Sequence, residues 1–328
     1  MTVVGAGVLG LWQALTLARA GHRVRLVERS ADPFARNASS HAGAMLAPDC
    51  EAESAPGLIR DLGREGLALW RGTYPRLVNA GSLVVAAARD RADLARFARL
   101  TSRHRSLGAD EIGKLEPDLA GRFGEALYFP DEAHMAAPDA LAFLLEAARA
   151  AGADVRLGTS WEGGSGAAMV IDCTGLEARA ELPSLRGVRG ERLLLGSREV
   201  KLGRPVRLLH PRHPLYVVPW GEGRYLVGAT MIESEDEGPV TVRSALELLG
   251  TAYALAPAFG EAEILETGSG VRPAFPDNVP RAVVRDGGRR ILVNGAFRHG
   301  FLLAPVLAKA VADFLATGAA DHPLIVVE

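Results

Sequence analysis

The chain begins with a short apolar strand followed directly by glycines in the pattern Gly5-x-Gly7-x-x-Gly10. A helix-like segment, LWQALTLARAG, and a second apolar strand, HRVRLVER, come next, so the start of the chain predicts a β-α-β unit. In such a turn the first glycine allows a sharp bend, the second lets a pyrophosphate approach the backbone, and the third lets helix and strand pack closely. The pattern predicts an α/β fold with a doubly wound, Rossmann-like domain.

The residues around these glycines favour a bound dinucleotide. The N-terminus of the first helix offers unpaired N–H groups to phosphates. Glu28 ends the second strand, where an acidic side chain accepts hydrogen bonds from ribose hydroxyls. Glycines of this spacing also occur in tight turns that bind nothing, and that alternative stays open from the glycines alone.

Composition narrows the function and the compartment. The formal net charge is −2 and no basic stripe is visible, which argues against a nucleic-acid partner. Cys50 and Cys173 are the only cysteines, too far apart for a disulfide framework or a metal site. The apolar segment FLLAPVLAKAVADFL is interrupted by Lys309 and Asp313, so we expect an amphipathic helix and no membrane span. With the glycines starting at residue 5 we expect no cleaved leader and a cytoplasmic location.

The order of segments predicts two interleaved domains. Residues 187–273 consist of short strands with turns between them, which indicates an antiparallel sheet carrying a helix at TVRSALELLGTAYALAP. The segment FGEALYFPDEAHMAAP shows no clear periodicity, and residues 32–48 are typical of a loop. We expect a discontinuous dinucleotide-binding domain of residues 1–75, 138–180 and 274–328, and an α+β substrate-binding domain of residues 76–137 and 181–273.

Two further segments favour FAD over NAD. In the loop NASSHAGAML, Ser39 and Ser40 are suited to donate to phosphate, and Gly43 and Ala44 allow close approach of a ring system. A helix starting within VNGAFRHGFLLAP would aim its positive end, with Arg298 beside it, at an anion such as the N1–C2=O locus of a reduced flavin. An ordinary small-residue loop and a surface arginine are the alternatives.

The ordered series GAGVLG, SSHAGAMLAP, YVVPWGEGRYLVGATM, GVRPAFPDNVPRA and NGAFRHGFLLAP resembles the D-amino-acid-oxidase-type FAD oxidoreductases over nearly the whole chain. Within that family it is most similar to the glycine oxidases of thiamine biosynthesis. The resemblance implies noncovalent FAD, a small amino-acid substrate lying against the flavin, and O2 as the electron acceptor. It also implies a homo-oligomer, since relatives often form tetramers.

The family's positions transfer residue by residue. The cofactor-binding residues implied are Gly5, Gly7, Val8, Leu9, Gly10, Glu28, Arg29, Ser39, Ser40, Gly43, Ala44, Met45, Trp161, Thr174, Gly175, Ala296, Phe297, Arg298, His299, Gly300, Phe301 and Leu302. The match at Trp161 lies in a segment that is shorter here than in relatives. Some relatives attach flavin through a C-terminal cysteine, and no cysteine follows Cys173.

On the substrate side, the resemblance matches Arg272 to the arginine that binds the carboxylate, Tyr216 to the tyrosine that helps it, and Met231 to a pocket methionine. Together with Arg298 these are the predicted catalytic residues. Guanidinium and carboxylate fit each other through two parallel hydrogen bonds. The alternatives are a structural ion pair for Arg272, a strand tyrosine for Tyr216 and core packing for Met231.

The predicted reaction is oxidative deamination of glycine, sarcosine or other small amines, in which substrate orientation and the cofactor supply the catalysis. No Ser-His-Asp or Cys-His pattern is visible, and His41, His210, His213 and His299 are weak candidates for handling protons. A dehydrogenase for a D-amino acid or proline with another electron acceptor has the same flavin motifs and remains the alternative. A nucleic-acid-modifying or regulatory flavoprotein is a third, which the mild acidity disfavours.

Overall fold

The computed structural model of the protein describes residues 1–35, 37–163, 169–211 and 214–328. The strands in these residues are β1 Thr2–Val4, β2 Arg25–Glu28, β3 Met45–Leu46, β4 Ser82–Ala86, β5 Arg105–Gly108, β6 Glu125–Phe129, β7 Ala133–His134, β8 Asp154–Leu157, β9 Val170–Asp172, β10 Arg186–Gly196, β11 Val206–Leu209, β12 Leu215–Gly221, β13 Arg224–Gly228, β14 Glu263–Ala274, β15 Arg281–Arg285, β16 Arg290–Asn294 and β17 Ile325–Val327. The α-helices are α1 Val8–Arg19, α2 Pro48–Glu51, α3 Gly57–Thr73, α4 Arg91–Leu100, α5 Ala109–Leu115, α6 Ala137–Ala150, α7 Val242–Leu255 and α8 Gly300–Thr317.

The first sheet is mostly parallel and has the strand order β17-β15-β16-β9-β1-β2-β8. Only β15 and β16 run antiparallel to each other. Its central strands β1 and β9 are buried apolar segments, as expected for a sheet covered on both faces. The first glycine turn leads from β1 into α1, so the predicted β-α-β unit and the predicted α/β class are confirmed.

The second sheet has the order β14-β10-β13-β12-β11-β4-β6-β5 and is antiparallel apart from the pairing of β4 with β11. The strands expected within residues 187–273 all lie in this sheet, and α7 packs against its strands β10, β12 and β13. A short antiparallel pair, β3 with β7, lies apart from both large sheets. The chain enters and leaves each large sheet more than once, while the predicted domain boundaries stay a prediction.

Several local expectations were wrong. The segment FGEALYFPDEAHMAAP is not irregular, because it forms β6 and β7; most of β6 is buried between β4 and β5, which hides the alternation that marks a half-exposed strand. The loop predicted for residues 32–48 contains β3 and the start of α2. Strands β15 and β17 were not predicted from the sequence. The sequence also predicts a buried strand in AAMVIDCTG, where β9 forms; Ala167 and Ala168 of that segment lie outside the described residues.

Helix α8 packs against α1 and α3. It is long and apolar enough to cross a membrane by length and composition alone, but much of it is buried inside the protein. Gly66 of α3 allows the close approach, since a Cβ there would lie 1.9 Å from the carbonyl oxygen of Leu302. This packing fixes the N-terminal end of α8, which lines the site described below.

One hydrogen bond across this contact replaces a bond that α8 cannot make itself. Pro305 lies inside the helix and has no N–H to donate to the carbonyl of Phe301. The indole Nε1–H of Trp70 on α3 donates to that carbonyl instead, at 2.6 Å. The buried carbonyl is therefore satisfied by a side chain from another helix.

We expect Trp70→Phe to lower the free energy of unfolding by about 1–3 kcal/mol, because it leaves a buried carbonyl unpaired. Chemical denaturation measures this loss. Trp12→Phe is the matched control: Trp12 is buried against the same Trp70 ring, and its Nε1 has no hydrogen-bond partner in the described residues. Equal losses in the two variants would show that ring packing, and not the hydrogen bond, matters here.

Candidate active site

A cleft of about 990 Å³ is lined by residues from both large sheets. At one end lie the carboxyl ends of β1, β2 and β9, the edge at which open α/β sheets bind ligands. The antiparallel sheet contributes Tyr216 and Arg272 to the lining of the cleft. Its volume lies at the upper end of the usual range for ligand sites, enough for a long cofactor with a small substrate beside it.

The glycine turn has the geometry that the sequence predicted. Gly5 has a φ of 95°, in the region that favours glycine. A Cβ on Gly10 would lie 1.8 Å from the carbonyl oxygen of Gly5. The first and third glycines therefore make the bend and the close helix–strand contact. Gly5 lines the cleft, whereas Gly10 does not and acts through the packing of α1.

The start of α1 lies open to the cleft at Gly7, Val8 and Leu9. The Val8 N–H donates to the hydroxyl of Ser39 at 3.1 Å, which brings the small-residue loop against the helix N-terminus. Ser40, expected to face phosphate, does not line the cleft. It is buried, and its hydroxyl donates to the carbonyl of Phe34, so its position serves the loop's own structure.

Glu28 is held in place by the backbone around it. Its two carboxylate oxygens accept the Ala6 N–H at 2.8 Å and the Ser30 N–H at 2.9 Å. A carboxylate oxygen has further lone pairs, so this arrangement still accepts ribose hydroxyls. Arg29 also lines the cleft, but its guanidinium pairs with Glu177 at 2.5 Å on the surface.

The strand ends beside Glu28 complete this end of the cleft. Trp161, Thr174 and Gly175 all line it. Asp172, at the end of β9, accepts hydrogen bonds from both the N–H and the hydroxyl of Thr174, at 3.0 and 2.7 Å. Thr174 is thereby fixed beside the glycine turn, since β9 pairs with β1.

The C-terminal loop and the first turn of α8 line the cleft with Ala296 through Leu302. The first turn of a helix has N–H groups without intrahelical acceptors, so this end of α8 attracts anions. Arg298 lies beside it, with Nη2 at 3.2 Å from Glu51 Oε2. His299 is buried, with Nδ1 at 3.5 Å from the same oxygen.

Arg272 has the environment of an anion-binding arginine. Its side chain crosses above Gly190, where a Cβ would lie 2.0 Å from Nη2 and 2.2 Å from Cζ. Nη1 donates to the carbonyl of Thr230 at 3.3 Å. Burial lowers the pKa of Arg272, and the neighbouring Arg298 lowers it further. Within the described parts of the chain no carboxylate lies within 4 Å of its guanidinium, so the alternative of a structural ion pair has no partner there.

Tyr216 lies next to Arg272 in the cleft. Its ring packs between two glycines: a Cβ on Gly43 would lie 2.9 Å from Cε2, and one on Gly228 would lie 3.1 Å from the hydroxyl. Ala44 and Met45, which follow Gly43, line the same wall.

Met231 also lines the cleft but is 62% exposed. It belongs to the rim of the cleft. The alternative of core packing does not describe it.

The candidate histidines differ in where they lie relative to the cleft. His41 lines the cleft, and its Nδ1 accepts a hydrogen bond from Arg192 at 3.1 Å. Burial lowers the pKa of His41, and the charge of Arg192 lowers it further. With Nδ1 occupied, the neutral ring presents an Nε2–H donor and no free acceptor. His213 lies outside the described residues.

The sequence profile described as FAD dependent oxidoreductase, DAO, matches residues 1–314. The chain belongs to this family. It is 52% identical over 316 residues, 96% of each chain, to a Rhizobium etli protein named as thiamine biosynthesis oxidoreductase ThiO. It is 29% identical to the glycine oxidase of Geobacillus kaustophilus, over 96% of this chain and 92% of that protein. The crystal structure of a glycine oxidase from Bacillus cereus superposes with a TM-score of 0.85 at 24% identity, over 98% of each chain.

The FAD oxidoreductase family implies a bound flavin, and the residues of the cleft fit one. The glycine turn, the fixed Glu28 and the open start of α1 fit a dinucleotide. The N-terminus of α8 with Arg298 provides a second positive region of the cleft, close to the start of α1. A nicotinamide dinucleotide would use only the first of these regions. The individual contacts of the predicted residues with FAD stay predictions.

Three residues of this FAD oxidoreductase site were missed by the sequence analysis: Gly190, Glu51 and Arg207. Gly190 matters only because β10 pairs with β14 and places it under Arg272. Glu51 and Arg207 meet across 156 residues of sequence, with Nη2 and Oε1 at 2.6 Å. The acidic run after SSHAGAMLAP is the one signal that pointed toward Glu51.

A buried carboxyl, Glu132, lies behind this pair. It accepts the Cys50 N–H at 2.8 Å and a hydrogen bond from the Ser82 hydroxyl. Burial raises the pKa of Glu132 from 4.5 to about 7. The folded protein therefore binds this proton more tightly than the unfolded chain does. Its contribution to stability is complete below pH 4.5 and is lost as the pH rises through about 7.

We expect the free energy of unfolding of the native protein to fall by about 2–3 kcal/mol between about pH 5 and about pH 8, relative to Glu132→Gln. Urea titrations of both proteins across this range give the difference directly, because all other titrating groups are shared. Parallel curves for the two proteins would contradict a raised pKa at Glu132.

Proposed function

We propose that the protein oxidises glycine and small N-substituted amines such as sarcosine. The observation that carries this proposal is Arg272: a half-buried guanidinium without a carboxylate partner in the described residues, next to Tyr216 in the cleft of an FAD oxidoreductase. Withdrawing a charge from water costs free energy, and an anion beside it offsets that cost. The name of the Geobacillus relative, a glycine oxidase, supports the same activity, and the name of the Rhizobium relative supports an oxidoreductase.

The residues of the chain bind and orient the substrate. The planar guanidinium of Arg272 would hold the carboxylate through two parallel hydrogen bonds, and the Tyr216 hydroxyl would add a third. FAD, when bound, supplies the acceptor for the hydride that leaves the substrate carbon, and O2 would regenerate it with formation of hydrogen peroxide. Binding of the carboxylate restricts the orientation of the amine and of the Cα–H bond. This is catalysis by orientation.

Neither His41 nor His299 is well placed to take the proton of the substrate amine. His41 has its Nδ1 occupied by Arg192, and His299 lies against Glu51 with its pKa lowered by burial. We therefore infer that the amine enters in its neutral form or loses its proton to water at the open rim.

We also propose that the enzyme is cytoplasmic and that residues 1–75, 138–180 and 274–328 form its FAD-binding domain.

The test is to mix the FAD-loaded protein with glycine without oxygen and to monitor the absorbance at about 450 nm, where oxidised flavins absorb. Bleaching with recovery and peroxide on admission of air supports the oxidase. Bleaching with glycine or proline and recovery only with a quinone indicates the dehydrogenase. A spectrum unchanged by glycine removes the substrate assignment, and D-amino acids, proline and N-methyl amino acids then identify the substrate.

A further inference from the structure

Two arginines share one carboxylate at the α8 end of the cleft. Glu51, the last residue of α2, has Oε1 at 2.6 Å from Arg207 Nη2 and Oε2 at 3.2 Å from Arg298 Nη2. Glu51 and Arg207 are largely buried, and Arg298 is 33% exposed toward the cleft. Arg207 is on β11 of the antiparallel sheet, whereas Arg298 precedes α8. The carboxylate therefore joins the substrate side of the protein to the cofactor side.

The charges of this cluster do not cancel. Arg207 and Arg298 carry two positive charges, and Glu51 carries one negative charge, because both arginines hold the pKa of this carboxyl below its usual range despite its burial. The other titratable groups facing Arg207 are Glu132 and Cys50, and burial raises the pKa of each. His299 has its pKa lowered by burial. At pH 6 one net positive charge remains, beside the N-terminus of α8.

We propose that Arg207 is a positioning residue that sets how readily the bound flavin accepts electrons, by competing with Arg298 for the single carboxylate of Glu51. This inference rests on the proposed function, in that it requires FAD in the cleft. A flavin gains a negative charge on reduction, so positive charge near it favours the reduced form. While Arg207 holds one oxygen of Glu51, Arg298 is only partly neutralised and its charge acts on the cleft.

The net charge of the cluster changes in a different direction in each single variant. Glu51→Gln leaves two positive charges and no negative one. Arg207→Met leaves Arg298 paired one to one with Glu51, so the cluster becomes neutral. The double variant E51Q/R207M has Arg298 alone and returns to one net positive charge. If the cluster only supported the fold, the reactivity of the flavin would change in the same direction in all three proteins.

Sulfite provides the readout, because it adds to flavins more tightly when positive charge lies near the ring. The FAD-loaded proteins are titrated with sulfite at pH 6, where Glu132 is protonated. We expect Kd for sulfite to fall about tenfold in Glu51→Gln, to rise about tenfold in Arg207→Met, and to return within about threefold of the native value in the double variant. A tenfold change corresponds to about 30 mV for a two-electron couple, which dye-equilibration potentials measure independently.

Two controls separate charge from folding. Arg207→Lys keeps the charge and should keep Kd within about threefold of native. Arg204→Gln breaks another buried pair, with Glu116 at 2.5 Å, which does not line the cleft, and should leave Kd unchanged. Shifts of the same sign in Glu51→Gln and Arg207→Met, or no shift in either, would overturn the inference. A native protein that fails to bind FAD would instead overturn the proposed function.

Discussion

Replacing Arg272 with Leu is expected to lower kcat/KM for glycine by about two to three orders of magnitude while FAD binding is retained. Removing one partner of a desolvated, hydrogen-bonded charge pair costs about 2–5 kcal/mol, and each 1.4 kcal/mol is a factor of ten. We expect FAD to be retained, because Arg272 lies on β14 and none of the residues predicted to bind FAD belongs to that strand. Steady-state kinetics with glycine, and the flavin absorbance of the purified variant, measure the two properties separately.

Lysine at position 272 is the informative companion to this variant. It retains the charge but loses the planar fork, so we expect an intermediate loss that falls mainly on KM. Acetate has the carboxylate without the amine and should compete with glycine in the native enzyme and not in Arg272→Leu. If Arg272→Leu retains kcat/KM within threefold, Arg272 does not hold the substrate carboxylate, and Arg192 becomes the next arginine to examine in the cleft.

The features that could be predicted from the sequence are those formed by residues within one short segment. The β-α-β unit, Glu28 and the start of α8 each depend on residues that are neighbours in the chain. Arg272 and Tyr216 were identified through a family resemblance and not through spacing. Strand β17 was missed because a three-residue strand at the sheet edge has too few residues to show a period.

The features that could not be predicted depend on which partners a residue meets once the chain is folded. Ser40 has the residue type of a phosphate ligand, yet its hydroxyl is used by the carbonyl of Phe34. Glu51 and Arg207 are ordinary charged residues in sequence and become a functional pair only when α2 meets β11. Gly190 is one glycine among 37, and nothing in its neighbours marks it. Its significance comes from the register of β10 against β14.

That register gives the second prediction, which concerns Gly190→Ala. A Cβ at this position would lie 2.0–2.3 Å from three guanidinium atoms of Arg272, closer than atoms can approach. The guanidinium is the far end of a flexible side chain, so we expect it to move and the strand to stay. The fold and the flavin spectrum should be nearly native, while kcat/KM for glycine falls by about a hundredfold or more, because a shift of about 1 Å in a positioning group has that effect.

Gly270→Ala is the matched control, because Gly270 is the cross-strand partner of Gly190. The nearest neighbours of a Cβ there would be His41 at 3.2 Å and Ala38 at 3.8 Å, so activity on glycine should stay within about threefold. The double variant G190A/R272L decides the interpretation. If Gly190 acts only by leaving room for Arg272, the double variant loses no more activity than Arg272→Leu does. Additive losses would show that the alanine disturbs another part of the cleft, and the space above Gly190 would then not be what positions the arginine.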